Sequence, residues 1–272
     1  MISVGKESEL HVNVSLAHHR LITIPISHYC EKARWALALG GIEFREERHV
    51  QGPSRIASKR AGGTGTTPVL VTPTGVLSQS EDIVAYAGPD LRQRDPAVLE
   101  ITRWFDRDLG IMGRRLIYAL VLRRPEMFLP FNNVGVPAWE ARVLKLGWPF
   151  FAPWAAHVMR LGPDTVEHDI AAVRRTFDIV AGWLADGRPY LFGEEFTAAD
   201  LAFAALAAPL VAPPEYGVPL PQPSAVPTEG GKLINSFRAH TAGAFALRMF
   251  REKRWPPGQR PPARSAPGTA SS

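Results

Sequence analysis

A chain of 272 residues has room for one large domain or two modest ones, and 46% hydrophobic against 21% charged residues is the balance of a globular protein with a full core. The single cysteine excludes an intramolecular disulfide and fits a reducing, cytoplasmic compartment. The net charge of +5 invites a nucleic-acid partner, but the basic residues come as scattered pairs (Lys59-Arg60, Arg114-Arg115, Arg123-Arg124, Arg174-Arg175) without interleaved aromatics, the pattern of solvated helix faces.

Residues 1–17 read as a loose arm or an added strand and contain no apolar run of signal-peptide length. A β-branched run, Leu21-Ile22-Thr23-Ile24, is then closed by Pro25, and Ser27 opens a segment of helical composition that lasts to Gly40-Gly41. Ser27 and Cys30 fall at the start of that helix, where free backbone N–H groups and the dipole favour an anion. A thiolate held there has a depressed pKa, and a serine hydroxyl can donate a hydrogen bond to a sulfur anion brought by a ligand. Serine is equally among the best helix caps, so the same residues also describe a strand and a capped helix that bind nothing.

Residues 42–50 alternate and predict a second strand, residues 53–60 a short helix, and a glycine cluster (Gly62, Gly63, Gly65) follows. Thr67-Pro68-Val69-Leu70-Val71-Thr72 and Gly75-Val76-Leu77-Ser78 predict a hairpin, with Pro68 at the strand position that tolerates a missing N–H; on the residues alone its peptide bond reads as trans. Ser80 caps a helix over 81–87 that Gly88-Pro89 ends. The order β-α-β-α-β-β-α suits a compact layered unit.

From about Arg92 strand signals vanish. Val98, Ile101, Phe105, Leu109, Met112, Leu116 and Leu120 form one helical stripe, and Val166, Ile170, Val173, Phe177, Val180 and Leu184 another. Residues 123–138 read as a loop and 139–161 as an apolar helical stretch broken by prolines; its longest apolar block, 147–159, is too short and too interrupted to span a bilayer, so no membrane partner is expected. Its aromatics (Trp139, Trp148, Phe150, Phe151, Trp154) are core packing or the wall of an apolar pocket. Thr197 and Asp200 make a capping box for a helix over 198–211 that is apolar on nearly every face, and Phe196 is placed to staple against Leu201. Residues 213–227 read as a proline-rich surface loop, 230–251 as a last helix, and the end as a disordered tail. The eight histidines show no metal-ligand spacing beyond His18-His19, so no metal is expected.

SHYCEKARWAL, TPVLV, LSQSEDI and FTAADL, in that order and spacing, resemble the soluble glutathione S-transferase superfamily over residues 20–87 and 166–211. The resemblance implies an α+β chain: an N-terminal thioredoxin-like, glutathione-binding domain at 18–90, an all-α helical-bundle domain at 96–252, and a disordered tail at 253–272. It further implies a cytosolic homodimer that uses glutathione as cosubstrate and conjugates it to an apolar electrophile. Ser27 matches the position whose hydroxyl stabilises the glutathione thiolate, and Cys30 the second position of an ancestral Cys-x-x-Cys. Pro68 would be cis, offering the backbone of Val69 to the cysteinyl part of glutathione, with Gln79 and Ser80 holding the γ-glutamyl group. Many members carry an acid where Gln79 stands, and a neutral amide binds an amino group more weakly. Two rivals stand beside the transferase: thiol-disulfide or dehalogenation chemistry through Cys30, and a non-catalytic binding protein of the same fold.

Overall fold

The computed structural model describes residues 19–256. The proposed arm at 1–17 and the tail from 257 lie outside the described residues. The first domain runs β1 (Arg20–Thr23), α1 (His28–Leu39), β2 (Arg45–Arg48), α2 (Pro53–Arg60), β3 (Val69–Thr72), β4 (Gly75–Leu77) and α3 (Ser80–Ala87). The four strands form one sheet in the order β2-β1-β3-β4. β1 and β2 are parallel, with Leu21 opposite Glu46, because α1 supplies the crossover that a parallel pair requires. β3 runs antiparallel to both β1 and β4, with Val69 opposite Ile22 and Leu70 opposite Leu77. The β-α-β-α-β-β-α order and the thioredoxin-like sheet are those expected. β2 is shorter than the sequence suggests, because only Arg-Glu-Glu-Arg pairs with β1, and its charges keep that sheet edge from further pairing.

The second domain is wholly helical: α4 (Pro96–Arg107), α5 (Leu109–Val121), α6 (Pro125–Asn132), α7 (Ala138–Val158), α8 (Pro163–Trp183), α9 (Ala198–Val211), α10 (Thr228–Ala239) and α11 (Thr241–Lys253). α9 is the centre, packed against α1, α4, α5 and α11, and nearly all its side chains are buried. Its alanines let neighbouring backbones approach, and Phe203 packs between Phe105, Phe177 and Phe245. The capping box is present, and the Asp200 carboxylate accepts from the Thr197 N–H and the Leu191 N–H, both at 2.7 Å.

Four expectations need correction. The stripe over 98–120 is two helices, broken at Asp108 where α1 docks: the Tyr29 hydroxyl donates to the Asp106 carbonyl at 2.7 Å and His28 Nε2 meets the Gly110 carbonyl at 3.0 Å. The loop expected over 123–138 contains α6, whose Pro125 sits harmlessly in the first turn. Residues 139–158 are one helix despite Pro149 and Pro153. The last helix is two, because His240 leaves the helical conformation and its side chain accepts from Ala242 N.

The segment assigned to the tail also begins later than 253. The Trp35 indole donates to the Lys253 carbonyl at 2.9 Å, Arg254 is buried, and the Trp255 indole donates to the Glu215 carbonyl at 2.9 Å. Loop 213–227 is correspondingly not all surface, since Tyr216 and Val218 are buried.

The main departure from hydrophobic patterning is on α1, where Glu31, Lys32 and Arg34 are all buried. Glu31 accepts from Arg34, from Arg254 and from the Gly217 N–H, while Lys32 pairs with Asp106 at 2.7 Å. Replacing Glu31 by Gln leaves two buried guanidinium groups short of a counter-charge. Urea denaturation should show a loss of about 3–5 kcal/mol; a loss below about 1 kcal/mol would mean the pairs behave as surface ion pairs.

Glu46 joins the same network. Burial opposes its charged form, but Arg34 and then Arg48 outweigh burial and hold its carboxyl down from 4.5 to about 2. A depressed folded pKa contributes stability that is full above 4.5 and disappears as pH falls toward 2, about 3 kcal/mol in all. Acid titration of unfolding free energy should fall through that window, and Glu46→Gln should flatten the fall.

Candidate functional site

The end of β1 and the start of α1 face a cavity of about 370 Å³ between the two domains. Ile26, Ser27 and Tyr29 form one wall, α5 contributes Arg114 and Tyr118, and α7 contributes Trp154 and Val158. Ser27 is the N-cap of α1, its Oγ accepting from the Cys30 N–H at 3.4 Å. The oxygen therefore anchors the helix, and the same hydroxyl lies within reach of the Cys30 thiol behind it. The structure thus joins the two readings of Ser27: it caps the helix and also lines the cavity.

Thr67-Pro68 is a cis peptide bond, and Thr66 and Thr67 line the same cavity as Ser27. Val69 does not: it is buried, opposite Ile22 in the sheet, with strands on both sides. Around the cis bond, then, Thr66 and Thr67 line the cavity, while Pro68 and Val69 are buried. The Thr-Pro-Val motif holds the signal for Thr67, but read from the sequence it points to Val69. Arg114 was not legible, because a pair such as Arg114-Arg115 looks like solvated charge; Arg115 forks onto the buried Asp169, whereas Arg114 is the one Asp, Glu, Lys or Arg lining the cavity.

Cys30 stands behind this wall. It is fully buried and absent from the cavity lining. Burial pushes its thiol upward, more than Arg34 and hydrogen bonds from Ser27, the Ile24 backbone and Thr67 bring it down. Gln79, exposed, is the N-cap residue of α3 without a capping side-chain bond, and Ser80, buried, is the first residue of that helix; neither lines the cavity.

The remaining cavity groups are neutral near pH 7. Burial, then the Arg114 charge, lowers His28 to about 3. Burial followed by Asp106 raises Tyr29 to about 12, and burial raises Tyr118 and Tyr216 as well. Among the described residues the cavity is therefore an apolar chamber with one cation, Arg114, hydroxyls at the N-termini of α1 (Ser27) and α2 (Ser54), and no carboxylate.

A thioredoxin-like domain followed by a helical domain, with a serine-capped first helix and a cis-proline whose preceding threonines line the cleft between them, defines a class that the comparisons with known proteins identify. The glutathione S-transferase N-terminal domain family matches residues 21–90 and the glutathione S-transferase C-terminal domain family matches residues 163–228, half of the chain together. The chain belongs to the glutathione S-transferase superfamily.

Among solved structures, glutathione S-transferase I from maize in complex with an atrazine glutathione conjugate is 14% identical, covering 87% of this chain and 93% of its own, with a TM-score of 0.57. Glutathione transferase GSTFuA3 from Phanerochaete chrysosporium is 15% identical over 87% and 97%, with a TM-score of 0.56. The beta-etherase LigF from Sphingobium sp. strain SYK-6 is 17% identical over 85% and 99%, with a TM-score of 0.51. These likenesses are of fold. No curated protein matches the chain.

The placement of Cys30 has a direct consequence for reactivity. The native protein should resist iodoacetamide at neutral pH and take up one equivalent after unfolding in guanidinium, read by intact mass. Rapid labelling of the native chain would put the thiol in the cavity instead.

Proposed function

We propose that the protein binds glutathione in the first domain and conjugates its thiolate to an apolar electrophile seated in the interdomain cavity. The observation that carries this reading is Ser27: a hydroxyl on the cavity wall, at the positive end of α1, whose oxygen caps the helix and whose proton can turn from the Cys30 thiol to a visiting sulfur. A glutathione sulfur there accepts that proton in a hydrogen bond, and the electropositive chamber favours losing the thiol proton to solvent. Thr67 offers its backbone to the cysteinyl unit as an added strand does, with cis-Pro68 holding the turn and Val69 buried behind it as support. Gln79 and Ser80, at the N-terminus of α3, are assigned to the γ-glutamyl group, whose carboxylate suits the free N–H groups there.

In the chemical step the thiolate sulfur attacks an electrophilic carbon. A carbon–sulfur bond forms and the leaving group departs with its electron pair. The rate comes from holding the two reactants together and from supplying the sulfur already ionised. The cavity wall of Ile26, Tyr118, Phe131 and Trp154 selects an apolar partner.

The buried thiol of Cys30 argues against the reading in which that sulfur forms a mixed disulfide or displaces a halide, since an attacking thiolate must be ionised and reachable.

Removing the Ser27 hydroxyl deletes one hydrogen bond to an anion, worth roughly 1.5–3 kcal/mol. Ser27→Ala should therefore raise the bound thiol's pKa by about 1–2 units, followed by ultraviolet absorbance. It should also lower kcat/KM for an aryl halide by roughly 10- to 100-fold. The lost cap should cost about 1 kcal/mol of stability, which thermal unfolding measures separately. Failure of the wild-type chain to bind glutathione at millimolar concentration in calorimetry would leave a binding protein of the same fold; an unchanged thiol pKa in Ser27→Ala would refute the assignment of Ser27.

A further inference from the structure

α7 buries one face and leaves the other without a partner among the described residues. Glu140, Leu144, Trp148 and Ala155 are buried, while Trp139, Val143, Leu146, Phe150, Trp154 and Val158 are 57–81% exposed. Those six recur at steps of three and four over five turns, which places them on one side of the helix. Single exposed apolar residues are ordinary; a contiguous aromatic and aliphatic stripe of this length marks a surface that is covered in use.

Charge indicates what covers it. The exposed ionisable side chains of α7 are Arg142, Lys145 and His157, and Arg160 follows the helix. Its one carboxylate, Glu140, is turned inward and accepts from the Val50 N–H at 3.0 Å and faces His49 Nδ1 at 2.7 Å. A second copy of α7 would bring no anion to these cations, whereas a bilayer rich in anionic headgroups supplies them and accepts the apolar side chains between them. Trp139 and Trp154 flank Leu146 and Phe150, and amphipathic indoles favour such an interface. α7 does not cross the bilayer, since no helix among the described residues is long and apolar enough. The family matches also stop at residue 90 and resume at 163, so α7 lies outside both of them.

The stripe is continuous with the cavity. Trp154 and Val158 belong both to the exposed face and to the cavity wall. The geometry points to α7 as a docking face for an anionic phospholipid surface, seating the molecule with the mouth of its cavity against the lipid. The electrophile is then a lipophilic compound taken from the bilayer rather than from water. The identity of that electrophile rests on the proposed transferase reading; the docking itself does not, because lipid binding needs neither glutathione nor turnover.

The full chain, without glutathione, is floated with vesicles of phosphatidylcholine alone and of phosphatidylcholine with phosphatidylglycerol. Binding to the anionic vesicles is expected to exceed that to the neutral ones, and to weaken about fivefold for each cation removed in Arg142→Gln and Lys145→Gln. Leu146→Glu with Phe150→Glu should abolish flotation while leaving the melting temperature unchanged, since both positions are exposed. Sedimentation velocity of the same proteins gives the opposing outcome. A wild-type dimer that the double variant dissociates, with no flotation of either, assigns the face to a second copy and overturns the proposal. Equal binding to neutral and anionic vesicles overturns the headgroup assignment. Transferase assays with a soluble aryl halide, run separately, report on Ser27 whatever the vesicles show.

Discussion

The position of Ser27 depends on a carboxylate that solvent never reaches. Glu31, one turn into α1, is bonded by Arg34 on its own helix, by Arg254 after α11 and by the backbone of Gly217. Two of these partners, Arg254 and Gly217, come from distant parts of the chain, and their bonds hold the start of α1 against the helical domain. Gly217 has to be glycine for this: a Cβ there would lie 2.5 Å from Glu31 Oε2. An isolated buried carboxylate costs several kcal/mol of desolvation, and close hydrogen-bonded cations are what make it tolerable. Arg254 is held in turn with its guanidinium 3.9 Å from the centre of the Trp255 ring. The N-terminal helix and the C-terminal residues are therefore one structural unit, although 223 positions separate Glu31 from Arg254.

The same few residues of α1 dock the other side. His28, Tyr29 and Lys32 reach the Gly110 carbonyl, the Asp106 carbonyl and the Asp106 carboxylate. Gly110 leaves room for Tyr29, since a Cβ would meet its hydroxyl oxygen at 2.3 Å. A carbonyl that accepts from a side chain is drawn out of the helical ladder, which accounts for the break between α4 and α5. Arg114 lies one turn beyond that break, and the docking of Tyr29 thereby sets where the cavity's cation stands.

This wiring was largely hidden in the sequence, and the reason is physical. Periodicity reports which face of a helix is apolar, and on that basis Glu31, Lys32 and Arg34 belong in water; only distant partners such as Asp106 and Arg254 put them inside. Local signals did better. The Thr197-x-x-Asp200 box, the glycine-containing hairpin loop and the serine at the head of α1 are settled by neighbouring atoms, and all three were legible. Prolines misled where their position in a helix mattered more than their presence: Pro125 starts α6, and Pro149 and Pro153 lie within α7. Thr67 and Val69 show the limit of motif reading. A motif marks the cis-proline turn, but which neighbour is left facing the cleft follows from the ladder that β3 makes with β1 and β4.

The chemistry of the cavity follows from what burial does to its polar groups. Tyr29, Tyr118 and Tyr216 keep their protons because an anion in that chamber would be poorly solvated, and His28 stays neutral because a second cation beside Arg114 would be too. The same low polarity would oppose a bare thiolate, so an ionised sulfur is favoured only where a donor, a helix terminus and a cation converge. Ser27, the N-cap of α1 on the cavity wall, is the hydroxyl for which that role is proposed. Cys30, three residues along the same helix, has the helix terminus without the opening, and its sulfur remains a thiol. One turn of α1 thus separates a half-buried hydroxyl on the cavity wall from a resident sulfur sealed in the core.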